Sequence, residues 1–147
     1  MKIIVDAMGG DNAPEAIVKG ALMARDELSV DIILVGMAEK IEECLAGADR
    51  RNIEIVNARE VMSEPGEWCY DRVRGTREDE PSTACRRKKD SSMSVALRML
   101  KDGEGDAVVS AGSTGALLTG ATLTVKRVKG VRRAAMAPVL PSMENGI

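Results

Sequence analysis

Lys2-Ile3-Ile4-Val5-Asp6-Ala7-Met8-Gly9-Gly10-Asp11-Asn12-Ala13-Pro14 is the stretch that decides the fold. Ile3, Ile4 and Val5 form a short β-branched run ended by Asp6, the pattern of a strand buried on both faces of a parallel sheet. Residues 8–13 read as a glycine-containing loop, and Pro14 suits the first turn of a helix. Ile17, Gly20, Ala21, Ala24 and Leu28 then fall on one helical face.

The same alternation runs along the rest of the chain. Residues 31–36 (Asp-Ile-Ile-Leu-Val-Gly) read as a strand, residues 38–46 as a helix with Ile41, Cys44 and Leu45 inward, and residues 53–56 as a third strand. Met93, Ala96, Leu97 and Leu100 share a helical face that Gly103 is placed to stop. Residues 107–110 read as a strand, and residues 111–115 as a tight turn. Leu117, Gly120, Ala121, Thr124 and Val128 mark a further helix, and residues 134–140 a last strand broken by Pro138 and Pro141. Strands alternating with helices predict an α/β fold, a three-layer α/β/α sandwich on a mainly parallel sheet. In such folds ligands sit beyond the carboxyl ends of strands. Between residues 62 and 83 the periodicity fails, and Pro65, Gly66, Gly75 and Pro81 mark a long loop.

Composition narrows the function. The 147 residues suffice for one domain with a core. Lys and Arg number 21 against 23 Asp and Glu, a net charge of −2, which disfavours a generally basic nucleic-acid binder. Trp68 and Tyr70 are the whole aromatic complement, so base-stacking platforms are missing. The chain has no His, which removes His triads, His metal ligands and His general bases. Cys44, Cys69 and Cys85 are widely spaced, which argues against zinc or a disulfide framework and for a reducing cytoplasm. Neither a signal peptide nor an apolar run long enough to cross a bilayer is expected. Neither metal nor cofactor is implied.

Against that neutral background, Arg86-Arg87-Lys88-Lys89-Asp90-Ser91-Ser92-Met93 stands out. Four cations lead into an acid, two hydroxyls and a helix start, where backbone N–H groups point outward. That combination suits an anion, phosphate first among them. A solvated charge run is the plain alternative. Asp90 is placed either to cap the helix or to hold a neighbouring cation. Ser110-Ala111-Gly112-Ser113-Thr114-Gly115 is a strand–turn–helix junction of small residues whose N–H groups can approach a ligand closely. Ser113 and Thr114 are candidate caps and hydroxyl donors to phosphate, the alternative being a simple capped turn. The turn nearly matches a GxSxG nucleophile elbow, but no His exists to serve as base. The Gly9-Gly10 loop is not GxGxxG. The spacing from Gly115 to Gly120 resembles a P-loop, with Ala121 where Lys is needed. Asp6 and Asp11 flank the glycine loop, placed to orient a cation or a water, or simply to end a strand and form a turn.

Together Val5-Asp6-Ala7-Met8-Gly9-Gly10-Asp11-Asn12-Ala13-Pro14, Ile33-Leu34-Val35-Gly36, the 86–93 stretch and Ser110-Ala111-Gly112-Ser113-Thr114-Gly115-Ala116 resemble the amino-terminal part of the PlsX-type phosphate acyltransferases of bacterial phospholipid synthesis. The resemblance implies transfer of a fatty acyl group from acyl carrier protein to inorganic phosphate, giving an acyl phosphate. It also implies an isocitrate/isopropylmalate dehydrogenase-like fold, a homodimer and at most peripheral membrane association. Under it, Lys89, Asp90 and Ser113 are the catalytic candidates. Asp6, Gly9, Gly10, Asp11, Lys88, Ser91, Ser92, Ser110, Gly112, Thr114 and Gly115 are the phosphate- or substrate-binding candidates. Arg86 and Arg87 are candidates for steering the acidic carrier protein. Asn12 stands where the family more often has His, Ser113 where it usually has Asn, and residues 64–79 look like an insertion. The family chain is much longer, so residues 1–147 are expected to be a truncated part of one acyltransferase domain. A phosphate acetyl- or butyryltransferase using coenzyme A, and a noncatalytic phosphate- or carrier-binding fragment, are the rival readings.

Overall fold

The computed structural model describes residues 1–60 and 88–137. Among them are four strands and four helices: β1 (Lys2–Asp6), α1 (Glu15–Leu28), β2 (Asp31–Gly36), α2 (Ala38–Cys44), β3 (Ile53–Asn57), α3 (Ser92–Asp102), β4 (Ala107–Val109) and α4 (Thr114–Thr124). The strands form one parallel sheet in the order β3-β2-β1-β4. Ile4 pairs with Ile33 of β2 on one side and with Val108 of β4 on the other.

Side chains alternate between the two faces, as the pleat requires. Val5, Ile32 and Leu34 pack with Val18, Ala21, Ile41 and Leu45 of α1 and α2. Ile4, Ile33 and Val35 pack with Val95, Ala96 and Met99 of α3 on the opposite face. Helices therefore cover both faces, and the predicted layering holds. Met93 and Leu97 join α3 to Ala116 of α4.

Several sequence expectations need correction. The buried stripe of α1 is Val18, Ala21 and Arg25, whereas Leu28 is 63% exposed and Gly20 is also exposed. The stripe is rotated because Arg25 is drawn inward. Its guanidinium donates to the carbonyls of Asp49 and Arg51 and pairs with Asp26. A buried arginine is acceptable once its donors are matched, and an apolar count cannot anticipate it. At the same corner the Arg51 N–H, then the Arg51 side chain, holds the Asp49 carboxyl below its ordinary range. Pro14 occupies the cap position of α1 instead of its first turn. Val128 lies beyond α4, which ends where Lys126 enters the left-handed region at φ 75. Residues 134–137 of the expected last strand are irregular, and 138–140 lie outside the described residues, as do the 62–83 loop, Trp68, Tyr70, Cys69 and Cys85. Cys44 is half-buried beside the α1–α2 core, and burial first, then Glu15 and Glu43, pushes its thiol up.

Replacing Arg25 by Met removes the donor to the Asp49 and Arg51 carbonyls, both at exposed residues that water reaches, so Arg25→Met is expected to destabilise the chain by about 0.5–1.5 kcal/mol. Chemical denaturation of the two proteins measures the difference.

Candidate functional site

A parallel sheet has one edge where all strands end. In the order β3-β2-β1-β4 the chain winds outward from β1 in one direction through β2 and β3, then crosses to the other side for β4. The connections leaving β1 and β4 therefore diverge to opposite faces and leave a crevice between the two carboxyl ends. The Gly9-Gly10 loop leaves β1 at that point, and the 110–115 turn leaves β4 beside it.

The two loops interlock. A Cβ placed on Gly9 would lie 2.8 Å from Asp6 Oδ2, 2.8 Å from the Gly112 nitrogen and 3.0 Å from Ser110 Oγ. One placed on Gly112 would lie 3.3 Å from Gly9 Cα and 3.4 Å from Met93 Cε. Gly10, at φ +105, sits against Ala111. Only glycine satisfies both the contact at position 9 and the backbone at position 10. Asp6, 2% exposed, accepts a hydrogen bond from Ser110 Oγ at 2.7 Å and from the Met8 N–H at 3.2 Å. Ser110 Oγ in turn accepts from the Gly112 N–H at 3.1 Å.

Two helix starts face this region of the fold. Ser113 caps α4, its hydroxyl oxygen accepting from the Ala116 N–H at 3.4 Å. Thr114 and Gly115 are the exposed first residues of α4. The cap of α3 is Ser91, not Asp90: Ser91 has the extended backbone a cap needs, and its Oγ accepts from the Ser94 N–H at 3.3 Å. Met93, in the first turn of α3, touches the Gly112 position, so the start of α3 packs directly behind the 110–115 turn.

The structure thus brings Asp6, Gly9, Gly10, Ser110 and Gly112 together where the two loops interlock, and Ser113, Thr114 and Gly115 follow directly at the start of α4. Asp11 is exposed on the far part of the glycine loop. Lys88 is half-buried and Lys89 exposed, immediately before α3. Ser91 and Ser92 are buried, and the Ser91 hydroxyl donates inward to the Lys88 carbonyl at 2.9 Å. Asp90 turns toward the end of β3: its Oδ2 accepts from the Arg59 N–H at 3.4 Å, and its own N–H donates to Glu60 Oε2 at 3.1 Å. A parallel bridge between Glu60 and Ser91 completes that seam. Arg86 and Arg87 lie outside the described residues. Sequence reasoning had no signal for the Glu60 seam, since acids at the end of a strand are usually solvated.

Comparison with known proteins agrees with the motifs. Residues 1–147 match the family described as fatty acid synthesis protein. The chain belongs to that family. The phosphate acyltransferase of Desulfitobacterium hafniense strain DSM 10664 / DCB-2 is 45% identical over 147 residues, covering 99% of this chain and 40% of that protein. The phosphate acyltransferase of Clostridioides difficile strain 630 is 41% identical over 149 residues, and that of Clostridium acetobutylicum 44% over 144 residues. The chain thus spans about 40% of the length of the curated relatives it matches. Among the described residues no helix is long and apolar enough to cross a membrane.

The tight approach at Gly9 has a measurable consequence. Gly9→Ala forces backbone atoms apart and should cost about 1–3 kcal/mol of stability. Gly20→Ala, in an exposed helix interior with nothing within 4 Å, should instead stabilise by about 0.5–1 kcal/mol. Urea midpoints of the two variants, measured side by side, check both signs.

Proposed function

We propose that this chain serves phosphate acyl transfer, moving a fatty acyl group from acyl carrier protein to inorganic phosphate. The observation that carries the reading is the convergence of two glycine-rich strand exits at one crevice, in a chain whose relatives are named phosphate acyltransferases. Phosphate is itself the nucleophile in such a reaction. A site without His, and without an activated protein nucleophile, is therefore adequate.

In the proposed mechanism the first-turn N–H groups of Thr114 and Gly115 and the Ser113 hydroxyl hold a phosphate at the start of α4, and Lys88 and Lys89 balance its charge. A phosphate oxygen attacks the thioester carbonyl. The tetrahedral oxyanion is stabilised by the same fixed donors and a lysine ammonium. It collapses by breaking the C–S bond. The thiolate takes the proton the phosphate gave up, so the products are an acyl phosphate and a free carrier thiol. Arg86 and Arg87 steer the acidic carrier in this reading. Asp90, bonded to the 59–60 segment, fixes the lysines' position and does not contact the reacting atoms. An isocitrate/isopropylmalate dehydrogenase-like fold, a cytoplasmic location and a homodimer accompany the proposal.

The test is acyl phosphate formation from palmitoyl-acyl carrier protein and phosphate, trapped with hydroxylamine. Phosphate-dependent product is expected, with Lys89→Ala lowering turnover by about 100-fold. Preference for short acyl-coenzyme A would select the coenzyme A reading. Phosphate binding without turnover would reduce the chain to a binding role.

A further inference from the structure

Asp6 is an anion buried at the mouth of a site proposed to hold another anion. The residue is 2% exposed, and no described lysine or arginine forms an ion pair with it. A buried carboxylate facing phosphate directly would oppose binding. Its hydrogen bonds suggest a different task.

The donors can be followed atom by atom. A carboxylate offers acceptors only. Oδ1 takes the Met8 N–H, and Oδ2 takes the single hydroxyl proton of Ser110 at 2.7 Å. With that proton committed, Ser110 Oγ presents lone pairs, and it receives the Gly112 N–H at 3.1 Å. Neither the Ser110 hydroxyl nor the Gly112 amide is then left to donate to a ligand. The chain Gly112 N–H to Ser110 Oγ to Asp6 Oδ2 joins residues 104 positions apart in sequence. It ties the end of β4 to the end of β1. It also fixes the direction of the turn whose next residues cap α4.

We infer that Asp6 is a positioning residue. Acting through Ser110, it locks the Gly112 amide and so aims the Ser113–Gly115 donors into the crevice, and neither Asp6 nor Ser110 is a phosphate ligand. This refines the sequence-based placing of both among the phosphate-binding residues, and it rests on the proposed phosphate site for its functional half. The charge of Asp6 serves a purpose here. An ionised carboxylate is the stronger acceptor, and it forces the serine proton to point one way. Asparagine would present one acceptor and one donor at the same place, and could not accept from both Met8 and Ser110 in the present geometry.

Two measurements on the 147-residue chain test the inference. The first needs no ligand: hydrogen exchange of the Gly112 amide, followed by NMR. Ser110→Ala and Asp6→Asn should each speed that exchange about tenfold, while Ser110→Thr, which keeps the hydroxyl, should preserve protection. The second is the affinity for inorganic phosphate by titration calorimetry. Removing a negative charge beside an anion would tighten binding if Asp6 acted only through its field. A positioning role predicts the reverse, weaker binding in both Asp6→Asn and Ser110→Ala and near-normal binding in Ser110→Thr. Unchanged Gly112 exchange in Ser110→Ala, or tighter phosphate binding in Asp6→Asn, overturns the inference. Should Asp6→Asn fail to fold, Ser110→Ala at its half-buried position decides alone. If the unaltered chain takes up no phosphate while the exchange pattern appears as described, the functional proposal fails and the Asp6–Ser110–Gly112 chain stands.

Discussion

The parallel pairing of β1 with β4 is the constraint from which the rest of this site follows. It sets Ile4 opposite Val108 and Val5 opposite Val109, and so brings two strand exits to the same level. α1 and α2 cover one face and α3 the other, with α4 packed against α3, so the connection leaving β1 and the one leaving β4 run to different helices. The space between them exists because of topology, before any side chain is chosen. Gly9 and Gly112 then close the floor of that space to near contact. Asp6 and Ser110 bond across it.

Much of this was legible in the sequence because it is local. The β-branched run ended by Asp6, the run at 31–36 and the period-3.6 pattern from Met93 to Leu100 each report their own burial without reference to distant residues. Gly103 in the left-handed region at φ 80 is likewise a local stop. What the sequence did not reveal depends on partners far along the chain. Arg25 turns inward only because the carbonyls of Asp49 and Arg51 await it, and that displaced Gly20 and Leu28 from the expected face. Asp90 lost the cap to Ser91 because its carboxylate and amide are engaged by residues 59–60, thirty positions away.

The candidate site shows the same division. Glycine and serine clusters at both strand exits pointed to a candidate anion site, since small residues and a helix start are local properties. Which of those groups face a ligand, and which face each other, is not local. In isolation Asp6 and Ser110 read as ligands; in the fold the Ser110 hydroxyl is bonded to Asp6, which is the basis for inferring a positioning role. The proposed reaction suits that arrangement, because a step whose nucleophile is phosphate asks the protein chiefly for aim and charge.

Diffraction from crystals of the chain soaked in tungstate, a tetrahedral oxyanion with a strong anomalous signal, tests the central claim most directly. A single dominant peak at the β1–β4 crevice, within hydrogen-bond reach of the Thr114 and Gly115 amides, is the expected result. A dominant peak elsewhere, for instance on the exposed basic segment at 126–133, with the crevice empty, would contradict it.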